Sequence, residues 1–396
     1  MKKHLITLLW FLFSSLITFA QNESDEKAMI HFDQGLGFNS PDTNFGVNIR
    51  FRMQNLLMVT TKSGDDPGIN RVDARVRRLR LRFDGYLGKN ERLTYYIQLA
   101  FSREDQDWDN SHIPNIVRDA MLYYTFSKDF YIGFGQGKLP GNRQRIISSG
   151  QQQFLDRSLV NSIFNIDRDF GFFMYYTLPF RLFPTQLKAA VSTGEGRGTL
   201  KTDDGLSYTA RLEMLPLGQF TRGGDFLEGD LLREPHPRLG IGLAYNFNHK
   251  ATRTQGQRGF DLFQPHDIKS FFADIIFKYR GWALETEYSN RYTDLHRAMT
   301  AEGDTSTLFS GQGVNFQVSY YFSPGIEIAG RYSRLMPDAI VQAYEPCQNI
   351  YTLGLTRYLF EHKVKILFNL SYRDLYYYDG QRKNDWQAGV MAEIGI

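Results

Sequence analysis

One cysteine, Cys347, is all that the 396 residues hold, so no internal disulfide can staple the chain. With eight scattered histidines and no Cys/His ligand spacing, a zinc site is not expected either. No internal run of about 18 apolar residues occurs, which excludes helices that cross a membrane. Charge of one sign is not in excess: 46 Lys and Arg against 43 Asp and Glu leave a net +3, too little to name a partner. Ser148, Ser149, His112 and His296 have no triad or metal spacing, so the chain does not read as an enzyme and calls for no catalytic residue, metal or cofactor. An RNA-binding aromatic motif is also missing, and nucleic acid is not an expected partner.

What is present begins with a leader. Lys2 and Lys3 precede an apolar run from Leu5 to Phe19, and Thr18-Phe19-Ala20 places small residues at cleavage spacing. This reads as a secretory signal over 1–20, with a mature chain from about Gln21, because the run is too short for an anchor and ends in polar residues. Residues 21–44 are expected to form an N-terminal periplasmic segment and 45–396 the folded body.

The stretch from Ala74 to Leu87 defines that body. Arg78, Arg80, Arg82, Asp84 and Tyr86 fall on one face of a period-two pattern, and Leu79, Leu81, Phe83 and Leu87 on the other. Such a strand separates water from hydrocarbon. The hydrocarbon is either the core of a soluble sandwich or lipid, and the rest of the chain decides. About sixteen segments repeat the pattern, from Phe45–Met53 through Leu93–Phe101, Phe170–Leu178, Phe271–Tyr279 and Val364–Tyr372 to Trp386–Ile396. Connections after even-numbered segments are short, as at Arg280-Gly281 and Ser323-Pro324-Gly325. Those after odd-numbered segments are long and polar: 60–77, 102–117, 138–167, 248–266, 291–311 and 334–348. The connection 216–237 breaks this rule. Segregated loop lengths, an even count and strands near the 9–11 residues that span a bilayer predict an all-β transmembrane antiparallel barrel of about sixteen strands. Its long loops are expected outside the cell and its termini in the periplasm. That strand number encloses water.

Residues Arg77 to Arg157 resemble the phosphate-selective porin O/P family of outer-membrane channels. The resemblance is carried by RRLRLRFDGYL, YYIQLAF, RDAMLYYTF and FGQGKLPGNRQRIISSGQQQFLDRSLV. It implies a sixteen-stranded channel in the bacterial outer membrane, usually a homotrimer, with an arginine-lined lumen and an inward-folded third loop. The terminal Ile396 departs from the aromatic residue with which such barrels commonly finish.

Candidate site residues follow from the pattern. Arg50, Arg52, Arg78, Arg80 and Arg82 share the polar faces of neighbouring strands and make a candidate anion path, with Arg80 and Arg82 as its main contributors. Lys138, Arg143, Arg145 and Arg157 add a cationic constriction loop, while Ile146, Ile147, Phe154, Leu155 and Leu159 are expected to pin that loop to the wall. Glu213, Asp274, Glu285, Glu287, Glu327, Asp385 and Glu393 fall on inward faces of later strands, so the lumen has a basic and an acidic side. The function expected is a water-filled porin for passive diffusion of small solutes, preferring phosphate or other small anions, with outer-membrane lipid around it. The alternative is a barrel that displays surface loops for binding or adhesion.

Overall fold

The computed structural model of the protein describes residues 29–32, 35–42, 44–106, 115–180, 182–198 and 204–396. The expected signal at 1–20 lies outside them. Sixteen long strands form the body: β1 Phe45–Thr61, β2 Ile69–Leu87, β3 Leu93–Ala100, β4 Val117–Ser127, β5 Phe130–Lys138, β6 Arg168–Leu178, β7 Thr185–Ser192, β8 Ser207–Met214, β9 Arg238–Arg253, β10 Asp261–Tyr279, β11 Trp282–Thr293, β12 Gly311–Phe322, β13 Ile326–Pro337, β14 Cys347–Phe360, β15 Val364–Tyr376 and β16 Arg382–Gly395. Each pairs antiparallel with the next, and β16 pairs back with β1, from Gln387 opposite Thr60 to Gly395 opposite Arg52. The sixteen-stranded body therefore closes on itself.

Two short strands, Met29–His31 and Leu36–Asn39, extend the sheet where β16 stops, with Leu36 opposite Ile49. Part of the 21–44 segment is thus paired to the barrel rim. Both ends of the described chain lie at the end that carries the short turns, since Phe45 pairs with Leu87 and the Phe51 amide donates to the Ile396 carbonyl.

All sixteen expected segments fall on these strands, but three expected loops are markedly shorter than read. Instead of 60–77 the connection is 62–68, instead of 248–266 it is 254–260, and instead of 334–348 it is 338–346, because the strands run on past the alternating stretch. Beyond the bilayer both faces of a hairpin are wet, so the period-two signal fades while the backbone ladder continues.

The outward face is apolar across the strands. Ile328, Leu355, Phe368, Val390 and Leu57 are successive cross-strand partners on five strands, and all are exposed on the isolated chain. Four residues further along the same strands, Tyr332, Tyr351, Tyr372 and Trp386 make an unbroken aromatic row. That is a displacement of roughly 13 Å. An apolar band bordered by aromatic rings is what a lipid bilayer with wet interfaces selects. The inward face is polar, and Asp274, Glu285, Glu287, Glu327, Lys278, Lys365 and Arg211 are buried there.

Candidate functional site: a basic lane on one side of the barrel

Pairing of β1 with β2 sets Arg50 opposite Arg82, Arg52 opposite Arg80 and Gln54 opposite Arg78. Like charges facing each other across a ladder repel, and carboxylates stand between them. Asp84 lies 3.3 Å from Arg50 and 2.7 Å from Arg82, and Glu393 lies 3.5 Å from Arg52. Arg80 donates through Nε and Nη2 to Asp105, at 2.6 and 2.7 Å, and Arg118 donates to the same carboxylate at 3.0 Å. Burial alone would raise the Asp105 carboxyl, but Arg118 and Arg80 hold it well below its ordinary value.

Two bulges add arginines that alternation places outside. The ladder slips between the pairs Gln54–Arg78 and Asn55–Val76, leaving Arg77 unpaired in register, and again between Gln98–Asp119 and Leu99–Val117, leaving Arg118 unpaired. A bulge re-aims the extra side chain. Arg77 and Arg78 therefore both reach Asp156, at 2.7 and 3.0 Å, and Arg118 is buried beside Asp105. Against the burial that would raise it, the two arginines lower the Asp156 carboxyl.

Residues 139–167, between β5 and β6, meet both sides of the lumen wall. The segment holds two short helical turns, Arg143–Ile146 and Leu159–Phe164, the second started by Ser158, whose hydroxyl accepts from the Asn161 amide. Glycines on the wall receive its apolar side chains. A Cβ at Gly354 would stand 2.9 Å from the Phe154 ring and one at Gly389 2.6 Å from Leu155. Leu155 clusters there with Leu56, Leu367 and Met391, and Val160 and Phe164 pack with Phe309 and Leu335. On the acidic side Arg143 donates to Asp274 at 2.7 Å, and the Gln144 amide donates to Glu287 at 2.7 Å. On the basic side Asp156 accepts from Arg77 and Arg78.

The exceptional connection after β8, residues 215–237, is long because it meets this same segment. The Glu228 amide donates to the Gln151 carbonyl at 2.9 Å, the Gln153 amide donates to the Glu228 carboxylate at 3.0 Å, and Arg143 donates to the Asp225 carbonyl at 3.1 Å. Lys278 on β10 ties it down through the Gly224 and Leu227 carbonyls at 2.7 and 2.8 Å. The strand count is unaffected.

These two segments fill the side of the lumen bounded by β8–β16. Along β2–β7 two cavities remain, of about 410 Å³ toward the long loops and about 310 Å³ toward the short turns. They have four lining residues in common: Arg80, Arg118, Arg145 and Arg157. Arg78 lines the first cavity, and Arg82 and Lys138 the second. Arg50 and Arg52 border a smaller recess of about 130 Å³ next to Arg80 and Arg82. Arg143 borders none of these spaces; it is held within the Asp274 pair. Sequence reasoning passed over Arg118, Arg168 and Lys188, which also line the second cavity. Arg168 and Lys188 carry the same inward alternation as the residues that were found; Arg118 needed the bulge.

The charges at the junction differ in their compensation. Arg80 and Arg118 share Asp105, and Arg145 pairs with Asp167. Arg157 gives its donors to the Gln144 and Ile147 carbonyls, and Lys138 donates to the Ile146 carbonyl. Among the described residues, neither of these two cations has a carboxylate within ion-pair distance.

Comparison with known proteins agrees with this geometry. The sequence model of the family described as phosphate-selective porin O and P matches residues 47–219. No curated protein matches the chain. Among solved structures, the outer membrane channel DcaP of Acinetobacter baumannii is similar over 92% of this chain and 100% of its own, with 15% identity and a TM-score of 0.58. The anion-selective porin from Comamonas acidovorans is similar over 88% and 100%, with 12% identity and a TM-score of 0.55. OmpT of Vibrio cholerae in its trimer form is similar over 89% and 99%, with 11% identity and a TM-score of 0.55. At these identities the likeness concerns the fold, a closed sixteen-stranded barrel. The resemblance to the phosphate-selective porin O and P family is thus shown over residues 47–219, and the chain is a β-barrel of the bacterial outer membrane.

Proposed function

We propose that the chain is a porin through which small anions, phosphate among them, diffuse more readily than cations. One observation carries the reading: the two cavities along β2–β7 meet at four guanidinium groups, with no carboxylate among their shared lining residues. An anion leaving one planar, permanently charged fork is within reach of the next, so passage is favoured over capture. The uncompensated Arg157 and Lys138 bias the lane, and the low-dielectric wall focuses their field. The candidate ladder Arg50, Arg52, Arg78, Arg80 and Arg82 contributes through the charge that Asp84, Asp105, Asp156 and Glu393 leave over. The anion-selective neighbour and the family's description fit this reading.

In this proposal residues 139–167 are the third long loop, folded in from the extracellular side, and they set the narrowest point; their contacts with both walls support this. The short turns face the periplasm, the leader is removed near Gln21, and the assembly is a homotrimer, as the printed form of OmpT is. The test is the zero-current potential of purified channels in a potassium chloride gradient. Chloride preference is expected, weakening as salt rises toward about 1 M, where the screening length is roughly 3 Å. Potassium preference would remove the anion reading.

A further inference from the structure

The two cavities differ in a way that charge alone does not require. Arginine, acids, asparagine and serine line the one toward the long loops, without any apolar side chain. The one toward the short turns combines the same guanidiniums with Tyr96, Met121, Tyr123 and Tyr175. These rings come from neighbouring strands. Tyr175 stacks on Tyr131 with centroids 4.4 Å apart and planes 9° from parallel, and Tyr123 lies 6.3 Å from Tyr175 and 6.2 Å from Tyr131. Tyr123, Tyr131 and Tyr175 also border the open mouth beyond the cavity. The aromatic track therefore runs from the arginine junction to the exit.

The sequence makes room for this track. In β5 the inward positions beyond Tyr131 include Gly133 and Gly137. A Cβ at Gly133 would stand 2.8 Å from the Tyr123 ring, and one at Gly137 2.7 Å from the Met121 sulfur. With those side chains absent, Met121 and Tyr123 pack directly over the glycines of β5 while still lining the cavity. Positive charge is close by: Arg82 sits 4.3 Å over the Tyr96 ring, and Lys138 and Arg168 line the same cavity. A volume of about 310 Å³ lies at the small end of the range, about 300–1,000 Å³, in which small organic molecules are enclosed.

A bare inorganic anion gains nothing from flat apolar surface, whereas an anion with a ring or short hydrocarbon body buries that body on the tyrosines while its acidic group stays on the guanidiniums. We propose that the inner cavity is a subsite for organic anions, an acidic group joined to a flat apolar body, and that such solutes are the preferred cargo of the channel. The inference rests on the anion-conducting reading of the lane.

The experiment measures block of chloride current through the full mature protein in planar bilayers, with sodium benzoate, sodium acetate and inorganic phosphate as probes. Benzoate is expected to reach half-block at a concentration about tenfold lower than acetate or phosphate, the scale of one aromatic contact. The benzoate-to-acetate ratio should fall toward unity in Tyr123→Ser with Tyr175→Ser. The comparison among probes uses the native protein, so it stands if that variant does not assemble. A chloride-selective native channel in which benzoate blocks no better than acetate overturns the subsite and leaves the anion porin intact. A potassium-selective native channel overturns both.

Discussion

The two halves of this lumen are built from the same alternating strands and have opposite contents. Along β2–β7 the inward arginines line open space. Along β8–β16 the inward carboxylates are covered: Asp274 by Arg143 and Arg211, Glu287 by the Gln144 amide and Asn142, Glu213 by Lys188 and Arg211. A net charge of +3 conceals this division. What a permeating ion meets is set by which inward residues are covered, and on β8–β16 Asp274, Glu287 and Lys278 are met by residues of the connections 139–167 and 215–237.

Removing residues 144–158 is the strongest way to break the contrast. It strips Arg145 and Arg157 from the junction and takes the Gln144 amide from Glu287, so single-channel conductance should rise several-fold and selectivity should move toward cations. Unchanged conductance in bilayer recordings would place the segment outside the conducting path.

Asp274→Asn attacks the filled half alone. Arg143 and Arg211 both donate to Asp274 and are almost fully buried, and removing one partner of a buried ion pair costs about 3–5 kcal/mol. A lower unfolding temperature in detergent is the expected outcome. An unshifted midpoint would mean that these arginines find water instead.

A finer comparison lies within the open half. Arg157 and Lys138 donate only to carbonyls, whereas Arg80 is held bidentately by Asp105 and Arg82 lies 2.7 Å from Asp84. Arg157→Gln with Lys138→Gln should therefore lower the chloride-to-potassium permeability ratio a few-fold, more than Arg80→Ala with Arg82→Ala. If the second pair has the larger effect on the zero-current potential, the ladder itself is the principal contributor.

The smallest expected effect is that of mild acid. Asp105 and Asp156 are held below the ordinary aspartate value of about 3.9. A carboxylate depressed in the folded state adds stability that is complete above its unfolded value and lost only as pH falls through the folded one. Both should stay ionised from pH 7 to about 4.5, so any rise in chloride preference over that range should be as large in Asp105→Asn with Asp156→Asn as in the native channel, its source being carboxyls that burial raises, such as Asp225 and Glu228. A rise that the double variant loses would show that one of the two aspartates takes up a proton early.

The sequence alone determined the wall. A period of two with a constant choice of face is a local property, readable from side-chain types, and it located all sixteen strands as well as the inward Arg78, Arg80, Arg82, Asp274 and Glu287. It also marked Phe154 and Leu155 as residues that seek the wall, because apolar side chains in a long polar connection need a dry partner. Tertiary structure decided the rest. Arg77 and Arg118 point inward because the ladder slips by one residue, and a slip depends on the partner strand, which alternation within one strand does not encode. Arg143 leaves the lane because Asp274, 131 residues away, holds it. The connection 215–237 looks like a broken rule in the chain and becomes intelligible only where Glu228 meets Gln151 and Gln153. Register and long-range pairing are properties of two segments at once, so they exist only when the barrel has closed.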